Sequence, residues 1–107
     1  VNNHLLKINK EDVVAKDYVL KMSDIAYNMR NEAINSFISR KFEIAVDIIR
    51  NMNIQKTLEE ELLNYLFTGK IGVSEAIGYS MIGREFRRVS GYAVGIADAL
   101  ANLIFTP

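Results

Sequence analysis

The residues best placed to do chemistry form one row near the C-terminal end of the chain. Arg84, Arg88, Gly91, Gly95, Asp98 and Asn102 recur at spacings of 4, 3, 4, 3 and 4. On a helix such a row is a seam along one face. Each of its two glycines costs roughly 1 kcal/mol relative to alanine inside a helix. A chain tolerates that cost where another backbone or a ligand must approach closely. Three readings are open at this point: tolerated surface glycines, close packing on another helix, or contact with a ligand or anion. Arg84, Arg87 and Arg88 could hold an anion, but Glu85 sits among them and dilutes the field. Salt bridges to carboxylates elsewhere, or plain solvation, are the alternatives for these arginines.

Other reactive side chains lack companions. Ser80 and Ser90 would need a positioned base to act as nucleophiles, and the single histidine, His4, lies at the other end of the chain. With no cysteine, thiolate nucleophiles, disulfides and thiolate metal sites are excluded. Glu43 and Asp47 stand at i,i+4 and could join a metal site across helices. Such sites use a Glu-x-x-His motif, which this chain does not contain. Glu59, Glu60 and Glu61 read as a solvated helix face or as an acidic patch for a partner. The stretch "SMIGREFRRVSG" lacks the Gly-Lys-Ser/Thr ending of a phosphate-binding loop. We assign no catalytic residue, no metal ligand and no cofactor.

The elements that must position the row are helices. Of 107 residues, half are apolar, and the only proline is the last residue. With no breaker and no alternating pattern, the chain is expected to be all-α. Asn9 is the expected cap of a first helix, whose stripe runs Val19, Met22, Ala26, Met29, Ala33 and Phe37. "ISRKFE" is the expected turn. A second helix shows Phe42, Ala45, Ile49, Met52, Leu58, Leu62 and Leu66, with a polar weak spot at "NMNIQKT". "TGKIG" ends it, and Ser74 is expected to cap a third helix. The core stripe of that helix is expected at Ile82, Phe86, Val89, Ala93, Ile96, Leu100 and Leu103. Gly91 and Gly95 each lie about 160° from Ala93, away from that stripe. The expectation is an antiparallel up-down-up bundle of three long helices. It is a single domain over residues 1–107, with residues 1–10 extended or poorly ordered, and it could be a piece of a longer chain.

Net charge is zero, from 13 basic and 13 acidic residues, which argues against a dedicated nucleic-acid binder. No stretch is apolar enough to span a membrane, and the charged first twenty residues do not read as a signal peptide. A cytoplasmic protein without membrane insertion is expected.

"RRVSGYAVGIAD", residues 87–98, resembles the signature helix of the phosphate uptake regulator (PhoU) family. That pattern runs roughly Glu-Arg-Ile-Ala/Gly-Asp-His-Ala-x-Asn-Ile-Ala-Glu. Arg88, Val89, Ser90, Ala93, Ile96 and Ala97 fit it, and Asp98 stands for the closing Glu. "MRNEAINSFISRKFEIAVDII", residues 29–49, is similar to the family's first helical hairpin. The resemblance spans about residues 18–105, one three-helix repeat where family members often carry two. It implies a non-enzymatic regulator of phosphate transport or signalling, acting on a transporter or a sensor kinase. The family's Glu-x-x-x-Asp carboxylates bind metal, but the matching positions here are Arg87 and Gly91, and the family's Asn falls on Gly95. The resemblance therefore carries over the helix without its metal site. Two other functions stay open: a metal- or anion-sensing domain with a reduced carboxylate site around Asp98, and an oligomerisation module of a longer regulator.

A two-fold axis beside Ala93 would pair positions whose numbers sum to 186. Gly91 then meets Gly95, Arg88 meets Asp98, and Arg84 meets Asn102. The sequence thus predicts a homodimer through the third helix.

Overall fold

A computed structural model describes residues 12–105, apart from the side chains of residues 42, 44 and 45. Three helices, α1 (Val13–Ser39), α2 (Phe42–Leu66) and α3 (Val73–Phe105), run up, down and up, and each packs on the other two. The bundle is 57 Å long. Among the described residues there is no strand.

Local chemistry sets the helix ends. Asp12 caps α1, its Oδ1 accepting from the Ala15 amide at 2.7 Å. The expected cap, Asn9, and the whole of residues 1–10 lie outside the described residues. α1 ends on Arg40, a non-glycine residue in the left-handed region (φ 58), inside the expected turn. α2 ends in a turn whose Gly69 takes φ 78, a value L side chains rarely adopt. α3 then begins at Val73, one residue before Ser74. Ser74 is therefore inside the first turn rather than its cap.

The core departs from the expected stripes in a systematic way. On α1, Ser36 is buried and Phe37 is 46% exposed. On α2, Ile48 is buried and Ile49 faces out. On α3 the buried row is Tyr79, Gly83, Ser90, Ala93, Ala97 and Leu100, with Phe86 half-buried between them. The expected Ile82 and Leu103 are exposed, and Val89 and Ile96 are only partly buried. The helix is rotated toward its small residues. The physical reason is volume: Met22, Met29, Ile48 and Leu62 are fully buried on the facing helices, so α3 must present little. Gly83 shows the limit. A Cβ there would lie 2.9 Å from Leu62 Cδ2 and 3.6 Å from Met22 Sδ.

The polar stretch of α2 turns out to be part of the seam. α2 runs unbroken through "NMNIQKT", and the inward row Ile48, Met52, Gln55, Glu59, Leu62 and Leu66 keeps 4-3-4-3-4 spacing. Its two polar members are answered by the other helices. Gln55, fully buried, donates through Nε2 to the Met22 carbonyl (2.8 Å) and to the Ser90 hydroxyl oxygen (3.0 Å). Glu59 Oε1 pairs with Arg87 Nε at 2.7 Å. Gln55 Oε1 has no hydrogen-bond partner among the described residues. A buried orphan of this kind costs about 1–3 kcal/mol, so the rung contributes register more than stability.

At the end where α1 starts, one more polar link spans helices. The Tyr65 hydroxyl donates to Asp12 Oδ2 at 3.1 Å. Burial, then the Asp12 hydrogen bond and charge, push the Tyr65 phenol pKa up. Burial, followed by the charges of Asp12 and Glu75, does the same at Tyr79.

Candidate interaction face of the third helix

The rotation of α3 toward Gly83, Ser90 and Ala97 leaves the opposite face to solvent. All six residues of the row are exposed: Arg84, Arg88, Gly91, Gly95, Asp98 and Asn102. A Cβ built on Gly91 or Gly95 would meet nothing within 4 Å. Among the described residues, nothing requires glycine at either position. Arg88 donates to Glu85 Oε1 at 3.1 Å one turn away. A hydrogen bond with Tyr92, then the Glu85 charge, raises its guanidinium pKa. Arg88 is thus held locally, in a solvated pair that contributes little to stability.

The remaining candidates separate cleanly. Arg87 leaves the outer face and reaches Glu59 on α2; its side chain is 40% exposed and that of Glu59 only 18%. The contact is an ion pair whose Nε–H is not aligned on the carboxylate as a hydrogen bond. Glu59 therefore departs from the solvated reading of the acidic run, while Glu60 and Glu61 face solvent. Ser90 is buried against Gln55, and Ser80 donates back to the Ile77 carbonyl at 2.8 Å. Asp47 lies 3.5 Å from Arg50, and both it and Glu43 are exposed.

A metal site of the kind carried by the resembled family does not fit these residues. At the two carboxylate positions stand a guanidinium and a glycine. The guanidinium is already paired with Glu59 on α2. Among the described residues, no three His, Asp or Glu side chains come together as a metal site would need.

One feature escaped the sequence reading. A groove of about 370 Å³ opens where α2 turns into α3, walled by Leu63, Leu66, Phe67, Ile71, Val73 and Ile77. Phe67 and Val73 are largely exposed on its rim. The signal was present in "LFTGKIGV", which puts four large apolar residues around two glycines where a surface turn is normally polar. The groove can take apolar side chains and offers little to a charged ligand.

No helix among the described residues is long and apolar enough to cross a membrane. No curated protein and no solved structure matches this chain. The family model for the PhoU domain matches residues 19–100, from early in α1 to near the end of α3. That match takes in the Gln55–Ser90 rung and the outer row from Arg84 to Asp98, and the chain belongs to the PhoU domain family.

Proposed function

We propose that this chain is a non-enzymatic regulatory domain that controls phosphate transport or signalling through protein contacts made by the outer face of α3. Membership in a family of phosphate-transport regulators supports the process. The observation that carries the mode of action is the pair Gly91 and Gly95. Both are exposed in the middle of a long helix, and both leave open the space a side chain would fill. Their cost of roughly 1 kcal/mol each is not offset by any contact among the described residues. Close approach by another protein's backbone accounts for it. The regulated partner is a transporter or a sensor kinase, and the domain acts in the cytoplasm.

The test replaces the face without touching the core. In the source cell, Gly91→Leu should abolish the response of phosphate uptake to external phosphate while the protein accumulates normally. A response identical to the unmodified protein would overturn the assignment of this face.

A further inference from the structure

We propose that the outer face of α3 is the interface of an antiparallel homodimer whose two-fold axis passes beside Ala93. This rests on reading that face as a protein-contact surface, and it commits to one occupant, a second copy of the chain.

The structure lengthens the row at both ends. Met81 precedes Arg84 by three residues and Phe105 follows Asn102 by three, and they are 61% and 67% exposed. From Met81 to Phe105 the exposed spacing is 3, 4, 3, 4, 3, 4, 3, the alternation of a two-helix seam. About Ala93 this row is its own mirror in number. Met81 meets Phe105 of the second copy, and Phe105 meets its Met81, so an apolar layer closes each end. Arg88 meets Asp98, joining opposite charges on both sides of the axis. Gly91 meets Gly95 at the centre, where the two backbones come closest.

Other registers lose these matches. A parallel, in-register pair stacks Arg84 on Arg84 and Arg88 on Arg88. An antiparallel pair slid by two heptads, summing to 172, sets Arg84 against Arg88. One slid by a single heptad the other way, summing to 193, sets Arg88 against Phe105 and leaves Asp98 against Gly95. Only the register summing to 186 satisfies charge, size and apolar surface together, so the wrong pairings are disfavoured as well as the right one favoured. Arg88 can turn from Glu85 to Asp98 at small cost, because its present pair is solvated on both sides. The symmetry is closed, so association stops at two.

The chain has no cysteine, which makes a register test direct. Gly91→Cys and Gly95→Cys are made separately, shown to be helical, mixed and oxidised. The mixture should cross-link severalfold faster than either variant alone, because residue 91 faces residue 95. Faster self-linkage of either single variant would overturn the register. By light scattering at tens of micromolar, the unmodified chain should have the mass of a dimer. Gly91→Leu with Gly95→Leu should be a folded monomer. Arg88→Asp should weaken dimerisation on the order of tenfold, and adding Asp98→Arg should restore it. A monomer at high micromolar concentration would overturn the dimer outright. If that monomer still lost phosphate control on Gly91→Leu, the face would serve a different protein: the dimer would fall and the regulatory reading would stand.

Discussion

The two faces of α3 carry glycine for opposite reasons. Gly83 is buried where the helix presses on α1 and α2, and a Cβ there would strike Leu62 Cδ2 at 2.9 Å. Gly91 and Gly95, two and three turns further on, are exposed, and a Cβ on either would enter open space. All three residues cost the helix about the same, roughly 1 kcal/mol each. Among the described residues only the inner cost is offset, by the close approach that lets Met22 and Leu62 fill the centre. The outer cost has no return among the described residues. The difference separates a glycine kept for folding from glycines kept for something outside the fold.

The sharpest way to break that comparison is to put the same side chain on both faces. Gly83→Leu inserts four carbons where one already collides. It should destabilise the bundle by about 3 kcal/mol, a large share of what a domain this size has. Urea unfolding would show it as a lowered midpoint with an unchanged slope. Leucine at residue 91 in the monomer should show no such loss. Equal losses at both positions would mean that the outer face is packed against something in the chain.

A weaker and pH-dependent contrast comes from Tyr79, which shares the inner face with Gly83. Its phenol pKa is raised chiefly by burial, and that of Tyr65 is raised for the same first reason. Unfolded tyrosines lose their protons near pH 10, while the folded phenols still hold theirs. Above that pH the unfolded state binds fewer protons, so stability is intact below about pH 10 and falls as pH rises through the folded values. Urea midpoints measured from pH 8 to pH 11 should drop, and Tyr79→Phe should flatten the drop. An unaltered pH profile in Tyr79→Phe would remove Tyr79 from the account.

How much of this was legible beforehand depends on which signal each residue carries. Helix number, direction and turns follow from periodicity and from glycines at Gly69 and Gly72, and the bundle has them. The rotation of α3 was not legible. Ile82, Val89 and Ile96 are more hydrophobic than Gly83, Ser90 and Ala97, and a reading by hydrophobicity selects the wrong row. Size complementarity decides instead, and it depends on Met22, Met29 and Leu62, which belong to other helices. The same holds for Gln55 and Glu59. Taken alone they look like a weak spot, and only Ser90 and Arg87, more than 25 residues away, make them a rung. The outer row was legible because charge and glycine spacing are local to one helix.

The smallest effect distinguishes the two faces most directly, because it adds a single carbon. Gly95→Ala gives α3 a better helix former at an exposed position where the new methyl meets nothing. At sub-micromolar concentration, where a dimer would dissociate, the change should raise stability by up to about 1 kcal/mol. For a domain of this size that is a rise of roughly 4–8 °C in Tm. At high concentration the same methyl lies at the crossing point of two backbones and should weaken association. One substitution should therefore strengthen the fold and loosen the pair. Thermal unfolding followed by circular dichroism across a hundredfold range of concentration would reveal the crossover, with the alanine variant ahead when dilute and losing its lead when concentrated. Gly83→Ala should show no such crossover, because its neighbours Leu62 and Met22 are present at any dilution. An alanine at residue 95 that lowers Tm when dilute would place Gly95 among the glycines the fold itself needs.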